Sequence, residues 1–107
     1  MSVLDKIRLL ERYVSTDPSM IDSVMEMAID KLLARESTRM GDMHLRIHAQ
    51  IAAFEAQYTM SSEDFRSRYD TGSISDEMDF IEWAATLDMR ERIQRHLSMI
   101  NKSRPLE

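Results

Sequence analysis

Two prolines and two glycines are all that punctuate this chain of 107 residues. Both residue types are the usual means of ending regular structure and turning the backbone. A chain so short of them cannot make the many tight turns of an all-β sandwich or barrel. It must run in long helices with few breaks. No stretch carries a strand's period-two alternation of apolar and polar residues. The expected fold is therefore all-α and, at this length, a single helical domain.

With 43% hydrophobic and 31% charged residues, the composition is that of a folded chain rather than a disordered one. Cysteine is absent, which excludes disulfide frameworks and thiolate-based metal or redox sites. The opening Met-Ser-Val-Leu-Asp-Lys has no apolar signal core, and no apolar run approaches membrane-spanning length. A cytoplasmic protein without a membrane partner is expected. The final Leu106-Glu107 carries no weight in this reading.

Ser2 is placed to cap a first helix over about residues 3–14, with Val3, Ile7, Leu10 and Val14 on one side and Leu4 and Leu9 flanking. Asp17 followed by Pro18 is a helix-start signal, and the spacing predicts a second helix from Pro18 to about Tyr58. In it Ile21, Leu32, Met43 and Phe54 lie eleven residues apart, as do Ile47 and Tyr58. An eleven-residue repeat keeps one face aligned along a nearly straight helix. Heptads fit worse, because Gln50 and Gln57 fall at apolar positions. The polar run Arg35-Glu36-Ser37-Thr38-Arg39, followed by Gly41, makes a weak middle through which the helix is expected to continue. Forty helical residues span roughly 60 Å, more than so short a chain can cover by itself. A homodimer through Ile21, Leu32, Met43, Ile47 and Phe54 is the expected remedy. Five of the ten methionines, Met20, Met25, Met27, Met40 and Met43, would fill the core or the dimer seam, or else line a repackable groove.

Ser61 is the expected N-cap of a short third helix, with Glu63 and Asp64 in its first turn and Met60 and Phe65 as a hydrophobic staple. Gly72 fits the left-handed position that ends it. Ser73 or Ser75 then opens a last helix to about Asn101, carrying a ridge of Ile81, Ala85, Met89, Ile93, Leu97 and Ile100. Phe80, Trp83, Ala84 and Leu87 broaden that ridge. Residues 1–58 would thus serve dimerisation, 59–101 would form an acidic corner, and 102–107 a tail.

Net charge is −5, which argues against DNA or RNA as the main partner. The charge is uneven: nine acids from Glu63 to Glu91 face only Arg66, Arg68 and Arg90. Such a segment suits a basic protein partner, although a solvated helix face is the more common form of it. Asp76, Glu77, Asp79 and Glu82 crowd the expected start of the last helix, where the helix dipole alone favours carboxylates. Phe65, Tyr69, Phe80 and Trp83 either lock a helix-turn-helix corner or leave Trp83 and Tyr69 as partly exposed interface anchors. The expected partner-binding residues are Asp76, Asp79, Glu82, Trp83 and Tyr69, with Phe65, Gly72 and Phe80 shaping the corner. His44 and His48 share a helix face, but Arg46 lies between them and no carboxylate does, so they read as two partly exposed histidines. No catalytic residue, cofactor or metal is expected. A helical metal-binding protein is the remoter alternative.

The run formed by Phe54-Glu55, Tyr58-Thr59-Met60-Ser61-Ser62-Glu63-Asp64-Phe65, Gly72, Asp76, Asp79-Phe80 and Glu82-Trp83 resembles a family of small all-helical prokaryotic proteins encoded beside small toxins. The resemblance is confined to residues 54–83. It implies an antitoxin of a toxin–antitoxin system, which covers a basic, ribonuclease-type toxin through its helices and frequently represses its own operon as a dimer. A ribbon-helix-helix strand and a basic recognition helix are both missing from the sequence, and Arg35, Arg39 and Arg46 make only a thin basic row. A structural homo-oligomer or adaptor with no toxin partner is the alternative.

Overall fold

The computed structural model describes residues 1–103, with side chains as far as Asn101, so the end of the expected tail, Leu106-Glu107 included, lies outside the described residues. The described chain is all-helical: α1 (Val3–Thr16), a 3₁₀ turn (Pro18–Met20), α2 (Ser23–Tyr58), α3 (Ser62–Asp70) and α4 (Met78–Ser103). It divides into two compact units, Met1–Ala34 and Arg35–Glu107. The division lies inside α2, earlier than the residue-58 junction expected from the sequence.

In the first unit, α1 opens with a capping box. Ser2 Oγ accepts the Asp5 N–H and the Asp5 carboxylate accepts the Ser2 N–H, both at 3.0 Å. Those bonds from Ser2 hold the Asp5 carboxyl below its usual value. Asp17-Pro18 starts only the 3₁₀ turn, with Asp17 accepting the Ser19 N–H. The long helix begins afresh at Ser23, because Asp22 offers a second cap: its Oδ1 accepts the Met25 N–H at 2.8 Å. No residue of this unit is buried; only Val14, Ile21 and Met25 are even half-buried.

In the second unit, α2 runs through Gly41 without a break. Glu36 braces the polar middle by pairing with Arg35 at 3.2 Å and Arg39 at 2.7 Å. The Arg39 hydrogen bond lowers the Glu36 carboxyl and raises the guanidinium in turn. The helix stops where Thr59 takes φ +50° and the Met60 N–H reaches back to the Glu55 carbonyl at 3.2 Å. A β-branched residue in the left-handed region is strained. Thr59→Gly is expected to stabilise the fold by about 1 kcal/mol, read as a raised urea midpoint at unchanged slope.

α3 starts on Ser61, whose hydroxyl accepts the Asp64 N–H. It ends in a Schellman motif at Gly72, φ +76°, with the Ser73 N–H on the Arg68 carbonyl (2.8 Å) and the Gly72 N–H on the Tyr69 carbonyl (3.2 Å). The expected start of α4 at Ser73 or Ser75 is corrected to Met78, where the Phe80 and Ile81 N–H groups bond the Glu77 carbonyl. Ile74 packs against the core and holds the intervening segment out of the helix. Asp76 and Glu77 therefore precede the first turn, and Asp79 lies in it.

The core consists of Ile47, Ile51, Phe65, Trp83, Ala84, Leu87 and Ile93, flanked by Met40, Met43, Phe54, Tyr58, Met60, Tyr69, Ile74, Phe80 and Leu97. This corrects two expectations. Of the dimer row, Ile47 is buried within the chain, and Met43 and Phe54 pack on that same core; Leu32 stays exposed and Ile21 half-buried. On α4, Ile81 and Met89 are exposed, as is Ala85, so they do not belong to the buried ridge. A row of four-residue steps rotates by about 40° per step on a 3.6-residue helix, and over five positions it winds half-way around. The buried face instead follows Phe80, Trp83, Ala84, Leu87, Ile93 and Leu97.

Candidate interaction site at the acidic corner

Trp83 is fully buried, as is Phe65. Their rings stack with centroids 4.0 Å apart and planes at 4°. Phe54 also stacks on Trp83, at 5.6 Å and 11°, and Tyr58 at 6.0 Å and 23°. Phe80 joins from the first turn of α4, 4.9 Å from Tyr58 and 5.9 Å from Phe65, and Tyr69 lies 5.5 Å from Phe65. One aromatic cluster thus joins α2, α3 and α4, and offset ring contacts of this kind add to the area they bury.

Polar groups complete the lock. The indole N–H of Trp83 donates to Ser62 Oγ at 3.1 Å, and the Ser62 N–H donates to Glu55 Oε2 at 2.8 Å. Glu55 thereby satisfies a helix-start amide of α3 from across the turn. Arg66 ties α3 to α4, pairing with Asp70 at 3.4 Å and Asp88 at 3.1 Å and donating to the Ala84 carbonyl at 3.4 Å. Sequence reasoning did not find the Glu55–Ser62–Trp83 chain or the Arg66 tie. Apart from Arg66–Asp70, which lies within α3, these links join partners seven or more positions apart in the chain, which no local spacing rule registers.

The Tyr58 hydroxyl donates to Asp79 Oδ2. That hydrogen bond, with burial and the Asp79 charge, pushes the phenol from 10.0 up to about 12. The folded value is raised, so the bond's contribution to stability is complete below pH 10 and is lost as pH climbs towards 12. In an alkaline titration followed by tyrosinate absorbance, the step near pH 12 is expected to vanish in Tyr58→Phe.

These contacts re-sort the expected docking residues. Trp83 offers no surface, so its role as a partly exposed anchor is corrected to that of core. Tyr69 is half-buried against Phe65, and Asp79 is half-buried and engaged by Tyr58 and by Gln57 at 3.5 Å. Asp76 and Glu82 are exposed, and so is Glu77. Among the described residues no lysine or arginine pairs with these three, whereas Asp64, Asp70 and Asp88 are neutralised by Arg68 and Arg66. Phe65 and Phe80 shape the corner from inside it and Gly72 ends α3.

Glu82 borders a shallow groove between α2 and α4, with Gln50, Ala53, Gln57, Ala85 and Met89 along it. Its mixed walls and exposed carboxylate suit contact with a polar or basic side chain. His44 is half-buried with Nε2 3.4 Å from Gln94 Nε2, and His48 is exposed. Among the described residues no three histidine, aspartate or glutamate side chains converge as metal ligands, and no helix is long and apolar enough to cross a membrane. Compared with known proteins, the chain matches no family model, no curated protein and no solved structure.

Proposed function

We propose that this chain is a non-enzymatic interaction protein that docks a basic protein partner through the acidic start of α4, in the manner of an antitoxin covering a ribonuclease-type toxin. The observation that carries this reading is the separation of roles at the corner. Aromatic and hydrogen-bonding residues of the 54–83 run are spent on holding α2, α3 and α4 together, while Asp76, Glu77 and Glu82 stand exposed beside them with no lysine or arginine paired to them among the described residues. Preorganised carboxylates on a rigid support lose little on docking to arginine and lysine side chains, and they steer a basic partner from a distance.

The test is co-purification with the product of the adjacent reading frame. A small basic protein that is retained, and whose ribonuclease activity is silenced, is the expected result. An unrelated neighbour with no tight complex would sink the proposal. A second reading, a homo-oligomer or adaptor without a toxin partner, draws on the uncovered apolar residues of the first unit. Homodimerisation is compatible with both readings.

A further inference from the structure

We propose that α1 pairs with α1 of a second copy in parallel, through a two-heptad seam of Val3, Ile7, Leu10 and Val14. This deepens the homodimer reading above and does not depend on the docked partner. The starting point is exposure. Val3 is 73% exposed, Ile7 56% and Leu10 43%, although they form one stripe of an amphipathic helix. Leu9, Tyr13 and Thr16, on another face, line a surface pocket with Met20 of the following turn. Val3, Ile7 and Leu10 have no such cover, and Val14 at the end of the stripe is half-buried.

The charges beside the stripe say what fits it. With Ile7 and Val14 at positions a and Val3 and Leu10 at positions d, Lys6 falls at g and Glu11, five residues on, at e. In a parallel pair a g residue meets the e residue five positions later on the other helix. Lys6 of each copy then faces Glu11 of the other, giving two symmetric ion pairs. An antiparallel pair would set the lysine edge against the lysine edge. β-branched Ile7 and Val14 at a with Leu10 at d follow the combination that favours two strands, from which Val3 at the first d departs. An anionic membrane fits less well, because it wants lysine and arginine on both flanks, and here Glu11 borders the stripe and Asp5 lies on the polar side.

The experiment is sedimentation equilibrium of the full chain from micromolar to sub-millimolar concentration, with Trp83 emission as a check that the second unit is folded. The wild-type chain is expected to dimerise. Leu10→Asp is expected to weaken dimerisation at least about a hundredfold with a blue Trp83 emission retained. Lys6→Glu weakens it about tenfold, and Lys6→Glu with Glu11→Lys returns it to within about threefold of wild type. A monomer at every concentration overturns both the seam and the homodimer reading. A dimer indifferent to Leu10→Asp, or one that the charge swap fails to restore, overturns the seam alone. Vesicles of phosphatidylglycerol and phosphatidylcholine are the last arm: a wild-type chain that is monomeric in solution and sediments with them makes the stripe a membrane face and overturns the proposal.

Discussion

Trp83→Ala is expected to cost about 3–5 kcal/mol of folding stability, a large share of the roughly 5–15 kcal/mol that a domain has to lose. The side chain is fully buried between the rings of Phe65 and Phe54, so its removal opens a cavity that three helices would have to close. It also strips Ser62 of its indole donor at a site where water has little access. Urea unfolding of Trp83→Ala should show a midpoint lowered by about 1 M or more. Ser62→Ala, which leaves the ring in place and orphans only its N–H, should cost about 1–3 kcal/mol. A Trp83→Ala protein that lost less than about 1 kcal/mol would contradict the packing described above. The same arithmetic governs any binding experiment. Loss of a partner in Trp83→Ala reports an unfolded corner, and says nothing about a contact made by the indole.

The residues that were legible in the sequence are those whose signals are local. Ser2 and Ser61 as caps, Gly72 as the left-handed stop, and the all-helical class follow from side chains that act on their own backbone within four or five positions. The start of α2 was misplaced because two capping aspartates, Asp17 and Asp22, lie five residues apart, and the one followed by proline gave the louder signal. α4 starts later than Ser73 and Ser75 suggested because Ile74 is claimed by the core, a long-range fact. Burial on α2 and α4 was harder still. Rows such as Ile81–Ala85–Met89 and the eleven-residue row from Ile21 to Phe54 describe possible faces, and only the position of α3 decides which segment of a face is covered. Trp83 illustrates the limit. Composition marks it as important, but an aromatic beside carboxylates has the same sequence signature whether it faces a partner or, as here, Phe65.

Reversing the exposed carboxylates, Asp76→Lys with Glu77→Lys and Glu82→Lys, is expected to weaken docking of the basic partner on the order of a hundredfold. Three attractions become repulsions, and the wild-type complex should also weaken more steeply with added salt than the variant complex does. A competing account must be separated from this one, because carboxylates near a helix start need no partner to explain them. Asp76 and Glu77 lie at the N-terminal end of α4, where the dipole favours acids, and lysine there is expected to cost some stability by that route alone. Glu82 lies more than a turn into the helix, beyond the reach of that effect, and it is exposed and has no ion-pair partner among the described residues. It is therefore the position that discriminates. If docking accounts for the acidity, Glu82→Lys alone should weaken partner binding several-fold while leaving the urea midpoint unchanged. If helix-start electrostatics account for it, Asp76→Lys and Glu77→Lys should lower the urea midpoint, and partner binding should not respond to Glu82→Lys at any salt concentration.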